Sequence, residues 1–107
     1  MSLRPPRGNS PTTQIVALDY EIAQEQASAL GRLGRALEAA LAALSDYDRA
    51  HGERDVVRTQ LVQAASYALW CFMVQREACG LRDPRPVIRD YRVPAEVHAR
   101  MGVILRR

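Results

Sequence analysis

From Gln14 to Arg49, apolar side chains recur at three- and four-residue intervals. The stripe runs through Ile15, Leu18, Ile22, Ala29, Leu33, Leu37, Ala40, Leu44 and Tyr47. That period places them along one face of an α-helix. No proline interrupts the stretch, and its only glycines are Gly31 and Gly34. The pattern predicts one helix far longer than the ~11-residue mean. Ser10 before Pro11 supplies an N-cap with proline at N1, and Thr13 is an alternative cap. The helix should run to about Ala50, where Gly52 gives a C-terminal stop.

A second helix is predicted over roughly Glu53 to Cys79. Val57, Leu61, Ala65, Ala68, Phe72 and Cys79 line one face, with Leu69 and Met73 beside them. Tyr67, Trp70 and Val74 make a second apolar face, which argues for burial by more than one neighbour. Gly80 then Leu81 reads as a Schellman stop. Asp83 then Pro84 caps a short helix to Tyr91, with Val87, Ile88 and Tyr91 inward. Val93 then Pro94 opens a last one carrying Val97, Met101, Ile104 and Leu105. No β-type alternation persists and no internal repeat is visible.

These elements predict an all-α fold: a long antiparallel helical hairpin with two short C-terminal helices packed over its open end. Folding the hairpin about Gly52 sets Leu37 against Tyr67, Gly34 against Trp70 and Gly31 against Met73. Each glycine costs a helix ~1 kcal/mol against alanine, and each would leave room for a bulky neighbour. The first helix would be ~54 Å long and the second ~40 Å. Ile15, Leu18 and Ile22 then lie beyond the second helix, level with residues 82 to 89. The two C-terminal helices are their expected cover. Where that cover is incomplete, a second copy forming a four-helix core would supply it.

At 107 residues with 48% hydrophobic side chains, the chain suits one folded domain. Residues 1–10, Met1-Ser2-Leu3-Arg4-Pro5-Pro6-Arg7-Gly8-Asn9-Ser10, read as a flexible Pro/Arg arm, and 11–107 as a single helical domain. No window reaches the ~18 apolar residues of a membrane span, so no membrane contact is expected. The N-terminus lacks the apolar run of a secretory signal. Cys71 and Cys79 lie ~12 Å apart on one predicted helix, too far for an intrachain disulfide. A reduced, cytoplasmic protein is the expectation.

Every basic residue is arginine, a cation whose planar fork suits carboxylates and phosphates. The net charge of +3 divides unevenly: +2 in residues 1–14, −3 in 15–52, 0 in 53–79 and +4 in 80–107.

Two clusters are candidate sites. Gln26 is the one polar residue on the stripe, and the expected pairing puts it near Gln75, Arg76 and Glu77. A hydrogen bond to Gln75 or Arg76 would satisfy it, as a register-fixing network or as a small anion pocket. Arg82, Arg85, Arg89 and Arg92 follow 3-4-3 spacing and would share a helix face, able to meet phosphates together with Arg7, Arg100, Arg106 and Arg107. The plainer reading is a solvated face paired with Asp83, Asp90 and the acidic first helix. Neither aromatic interleaving nor a helix-turn-helix spacing accompanies it. Cys79 and His98 are too few for a zinc site, and Cys79 at a helix C-terminus is poorly placed for a reactive thiolate. Neither a phosphate loop nor a Ser/His/Asp pattern is present. No cofactor or metal is expected. Arg4-Pro5-Pro6-Arg7 could serve as a short partner-binding peptide.

Asp19-Tyr20-Glu21-Ile22-Ala23-Gln24-Glu25, the stretch Gln75 to Asp83, and Ile88-Arg89-Asp90-Tyr91-Arg92-Val93-Pro94 stand together with the opening Leu3-Arg4-Pro5-Pro6-Arg7-Gly8. On these motifs the chain resembles a family of small bacterial helical proteins, a domain of unknown function, over most of its length. The resemblance implies a complete small protein rather than a fragment of an enzyme. It brings no activity, cofactor or functional residue. The expected function is that of a non-enzymatic interaction protein, self-associating as a dimer and open to a protein partner. Nucleic-acid binding through the four arginines ranks second.

Overall fold

The structure is a computed structural model that describes residues 11–105, and the side chains of 11–102. The expected arm, the Ser10 cap and the terminal arginines Arg106 and Arg107 lie outside the described residues. Among the described residues the fold is all-α, in four helices: α1 (Pro11–His51), α2 (Val56–Ala78), α3 (Arg85–Asp90) and α4 (Ala95–Leu105).

Local signals set the ends of these helices. Pro11 opens α1, and Gly52 at φ +67° follows its last residue. α2 starts later than the sequence suggested. Asp55 is its N-cap, and the Asp55 carboxylate accepts from the Arg58 amide at 2.9 Å. At its other end Leu81 N–H donates to the Arg76 carbonyl and Gly80 N–H to the Glu77 carbonyl. With Gly80 at φ +85° this is the Schellman stop its sequence predicts. α3 is one residue shorter at each end than expected. Pro84 is its N-cap, and the Asp83 side chain accepts from the Arg85 amide instead. Pro94 caps α4, its carbonyl receiving the Val97 and His98 amides.

α2 packs against both α1 and α4. Asp48 meets Arg58, and Gly34 meets Phe72. The two long helices therefore run in opposite directions, with facing residue numbers adding to about 106. The expected register about Gly52 is off by roughly half a turn. Its cause is Asp55: the cap moves the start of α2 to Val56 and shifts every partner along. Gly34 faces Phe72 and Tyr91 rather than Trp70. A Cβ on Gly31 would meet only the Arg35 guanidinium, so Met73 is not what requires that glycine.

The core is built from Leu37 and Leu44 of α1; Val62, Ala65, Leu69 and Phe72 of α2; Val87 and Val93; and Val97 and Met101 of α4. The last helix, α4, packs toward the turn and not over the open end. Ser66 of α2 bonds the Val97 carbonyl, and Arg58 holds Glu96. Ile15, Leu18 and Ile22 consequently stay 60%, 55% and 48% exposed. By the observed register Ala78 lies level with about residue 28 of α1, so α1 projects ~25 Å beyond α2. The molecule measures 77 × 28 × 22 Å.

Candidate functional site

Three helices converge on Arg58. Its guanidinium is mostly enclosed, at 12% side-chain exposure, and forks between two carboxylates. Nε donates to Asp48 Oδ1 at 2.7 Å and Nη2 to Asp48 Oδ2 at 3.2 Å. Nη1 donates to Glu96 Oε2 at 2.9 Å, and Nη2 also donates to Glu96 Oε1. Arg54 stands 3.6 Å from the same Glu96. Only arginine offers enough donors in one plane to hold α1, α2 and α4 at once. These hydrogen bonds lower the pKa of both Asp48 and Glu96 and raise that of Arg58. The sequence reading did not find this cluster. Its members lie on three helices, and no spacing rule links them.

The turn beside it is locked by Tyr47. Its hydroxyl donates to Asp55, and its ring stacks on His51 with centroids 4.1 Å apart. The Asp55 hydrogen bond is the main cause that pushes Tyr47 up to about 12 and lowers Asp55.

A groove of about 790 Å³ runs between α1 and the α3–α4 connection, with Leu41, Leu44, Asp48, Tyr91, Arg92 and Glu96 among its walls. Of its charged groups, Asp48, Arg58 and Glu96 engage one another, while Arg49 pairs with Asp46 and Asp90 with Arg89, both partners outside the walls. Tyr91 packs edge-on against Phe72 at 5.3 Å, and burial raises its pKa. Arg92 sits at φ +53°, the left-handed region.

The expected polar cluster does not assemble around Gln26. Arg76 donates to the Asp83 carbonyl at 2.8 Å, and Gln75 donates to Cys79 Sγ at 3.8 Å. Glu77 is exposed, and Gln26 is half-buried with no hydrogen bond to Gln75 or Arg76 among the described residues. The register shift and the two helix-end interactions draw those side chains elsewhere.

The four-arginine face is also broken. α3 spans only Arg85–Asp90, so Arg82 lies before it and Arg92 in the turn after it. Arg85 forks onto Asp83, holding that carboxyl at about 2, and Arg89 pairs with Asp90. Among the described residues no group of three or more His, Cys, Asp or Glu could hold a metal. None of the described helices is long and apolar enough to cross a membrane.

The projecting end of α1 is open, and so, away from it, are Val56, Val57, Tyr67 and Val74 of α2 and Leu81, so the second apolar face expected of α2 is not covered at Tyr67 and Val74. Ile15, Val16, Leu18, Tyr20 and Ile22 are each 48–69% exposed. On the same helix and the same stripe, Leu33 and Ala40 are half-buried and Leu37 and Leu44 are buried.

Set beside known protein families, the model of a family of unknown function (DUF6665) matches residues 3–107. The chain belongs to that family. No curated protein and no solved structure matches it. Family membership therefore spans the helices, the Arg58 cluster and the exposed stripe alike, and assigns a role to none of them.

Proposed function

We propose that this protein acts without catalysis, as a self-associating helical interaction module whose binding surface is the projecting N-terminal part of α1. One observation carries the reading. A continuous apolar stripe is buried where α2 covers it and bare where α2 ends. Single exposed apolar residues are ordinary on a protein surface. A run of them on one helical face, aligned with the core, marks a contact surface.

The rest of the molecule supports a scaffold reading. Arg58, enclosed to 12% side-chain exposure, joins helices. Binding of nucleic acid through Arg82, Arg85, Arg89 and Arg92 draws less support, since Arg85 and Arg89 are paired with their own neighbours. A cytoplasmic location and a protein partner beyond a second copy belong to the same proposal.

The test is light scattering behind a sizing column for the full chain and for Leu18→Asp, with helicity followed by circular dichroism. The reading expects a dimer that Leu18→Asp converts to a folded monomer. An unmodified chain that stays monomeric at ~100 μM, where even a weak micromolar contact is saturated, overturns it. A duplex-DNA titration at 50 mM salt is the second arm; salt-sensitive binding there would favour the arginine reading.

A further inference from the structure

We infer that the partner on this stripe is a second copy lying antiparallel to the first, with the two α1 helices crossing near Gln26. This rests on the self-association reading and specifies its geometry.

The stripe and its distribution of charge point the same way. The projecting segment carries Asp19, Glu21 and Glu25 and no basic residue. The next stretch of α1 carries Arg32 and Arg35. Arg32 and Glu25 of one chain approach only to 3.9 Å, with both side chains largely exposed, so neither is committed. In a parallel, in-register pair each carboxylate would face its own copy, and like charges so placed repel. In an antiparallel pair of the projecting segments alone, the carboxylates of both copies would again be collected without a cation. Moving the crossing point to Gln26 changes this. Asp19 and Glu21 then come level with the partner's Arg32, and Ala17 with the partner's Arg35.

The same crossing pairs the apolar surfaces. Leu18 and Ile22 come within one residue of level with the partner's Leu33 and Ala29, and Ile15 with the partner's Ala36. In one chain Ala29, Leu33 and Ala40 are only half-buried, and Ala36 is exposed. Leu33 and Ala40 already pack against their own core, so the partner would cover only the side that α2 leaves open, and each copy does this for the other, as a two-fold axis requires. Gln26 interrupts the stripe and would lie at the axis beside its own copy. Amides there can hydrogen-bond each other, and a single polar residue in an apolar seam fixes register.

The experiment uses the full chain with Cys71→Ser and Cys79→Ser, adding either Gln26→Cys or Thr12→Cys, and oxidised glutathione as the oxidant. Two thiols of neighbouring chains then join through one disulfide as the glutathione disulfide is reduced. The inference expects Gln26→Cys to give a covalent dimer and Thr12→Cys to give none, because the two Thr12 positions lie ~40 Å apart. Sedimentation is run on the same samples, with helicity confirming that each is folded. A dimer that crosslinks at Thr12, or fails to crosslink at Gln26, overturns the antiparallel arrangement while self-association stands. A monomer in sedimentation removes both. As a second readout, Arg32→Glu should weaken association roughly tenfold, and adding Asp19→Arg should restore it. Absence of that rescue also counts against the arrangement.

Discussion

The Tyr91 hydroxyl lies 2.9 Å from the point where a Cβ on Gly34 would stand, and the Phe72 ring lies 3.4 Å from it. Tyr91 and Phe72 are packed edge-on, so neither ring can withdraw freely. A missing side chain on α1 is thus what seats the α3 end against the two long helices. Gly34→Ala should destabilise by ~1–3 kcal/mol through overpacking, despite alanine's better helix propensity. Gly31→Ala has only a movable Arg35 side chain nearby at 3.4 Å. It should stabilise by up to ~1 kcal/mol. Urea unfolding of the two variants should therefore give shifts of opposite sign.

Ser66 is fully buried, and its hydroxyl is shared between the Val62 carbonyl at 2.8 Å and the Val97 carbonyl at 3.0 Å. The second contact ties α2 to α4. Ser66→Ala leaves the Val97 carbonyl without this partner and should cost ~1 kcal/mol. Hydrogen exchange should show the loss concentrated in α4 amides, with α1 amides little changed.

Arg58 holds Asp48 and Glu96 below their ordinary values of 3.8 and 4.5, and Arg85 holds Asp83 at about 2. Each carboxyl binds its proton less readily in the folded chain than in the unfolded one. Their contribution is therefore complete above about pH 4.5 and is lost as pH falls toward about 2. Thermal melting should fall through that window. In Arg58→Met the fall should be shallower, because Asp48 and Glu96 lose the main cause of their lowering and keep only the weaker pull of Arg54. An acid limb identical to that of the unmodified chain would remove Arg58 from the account.

Arg92 occupies the position after the end of α3 where glycine is usual, at φ +53°. Its amide bonds the Arg89 carbonyl, and the Val93 amide bonds the Ile88 carbonyl, so this is a second Schellman turn. Arg92→Gly should raise stability by about 1 kcal/mol by relieving the left-handed backbone. A lowered Tm would mean that the Arg92 side chain contributes more than its backbone strain takes away.

Much of the fold was legible because its signals are local. The long helix follows from an uninterrupted apolar period, the end of α2 from Gly80-Leu81, and the last helix from Val93-Pro94. The pairing register was not. It depends on where α2 starts: folding the hairpin about Gly52 set Gly34 against Trp70, and the Asp55 cap sets it against Phe72. The Arg58 cluster and buried Ser66 were missed for a related reason. Each is defined by neighbours far along the chain, at positions 48, 96 and 97. Conversely, Arg82 to Arg92 share a face only if one helix spans them, and the proline-rich start and the turn at Arg92 forbid that. The bare stripe was visible as a length mismatch between two helices. What the sequence could not supply was where α3 and α4 go, since their anchors on α2 are long-range contacts.

The central claim is that Ile15, Leu18 and Ile22 are covered by another copy of the chain. Sedimentation equilibrium of the unmodified protein from 1 to 100 μM tests it most directly. A chain of 12.0 kDa should approach about 24 kDa with rising concentration, the mass of a two-fold pair. A single species holding at 12.0 kDa across the whole range would contradict the account.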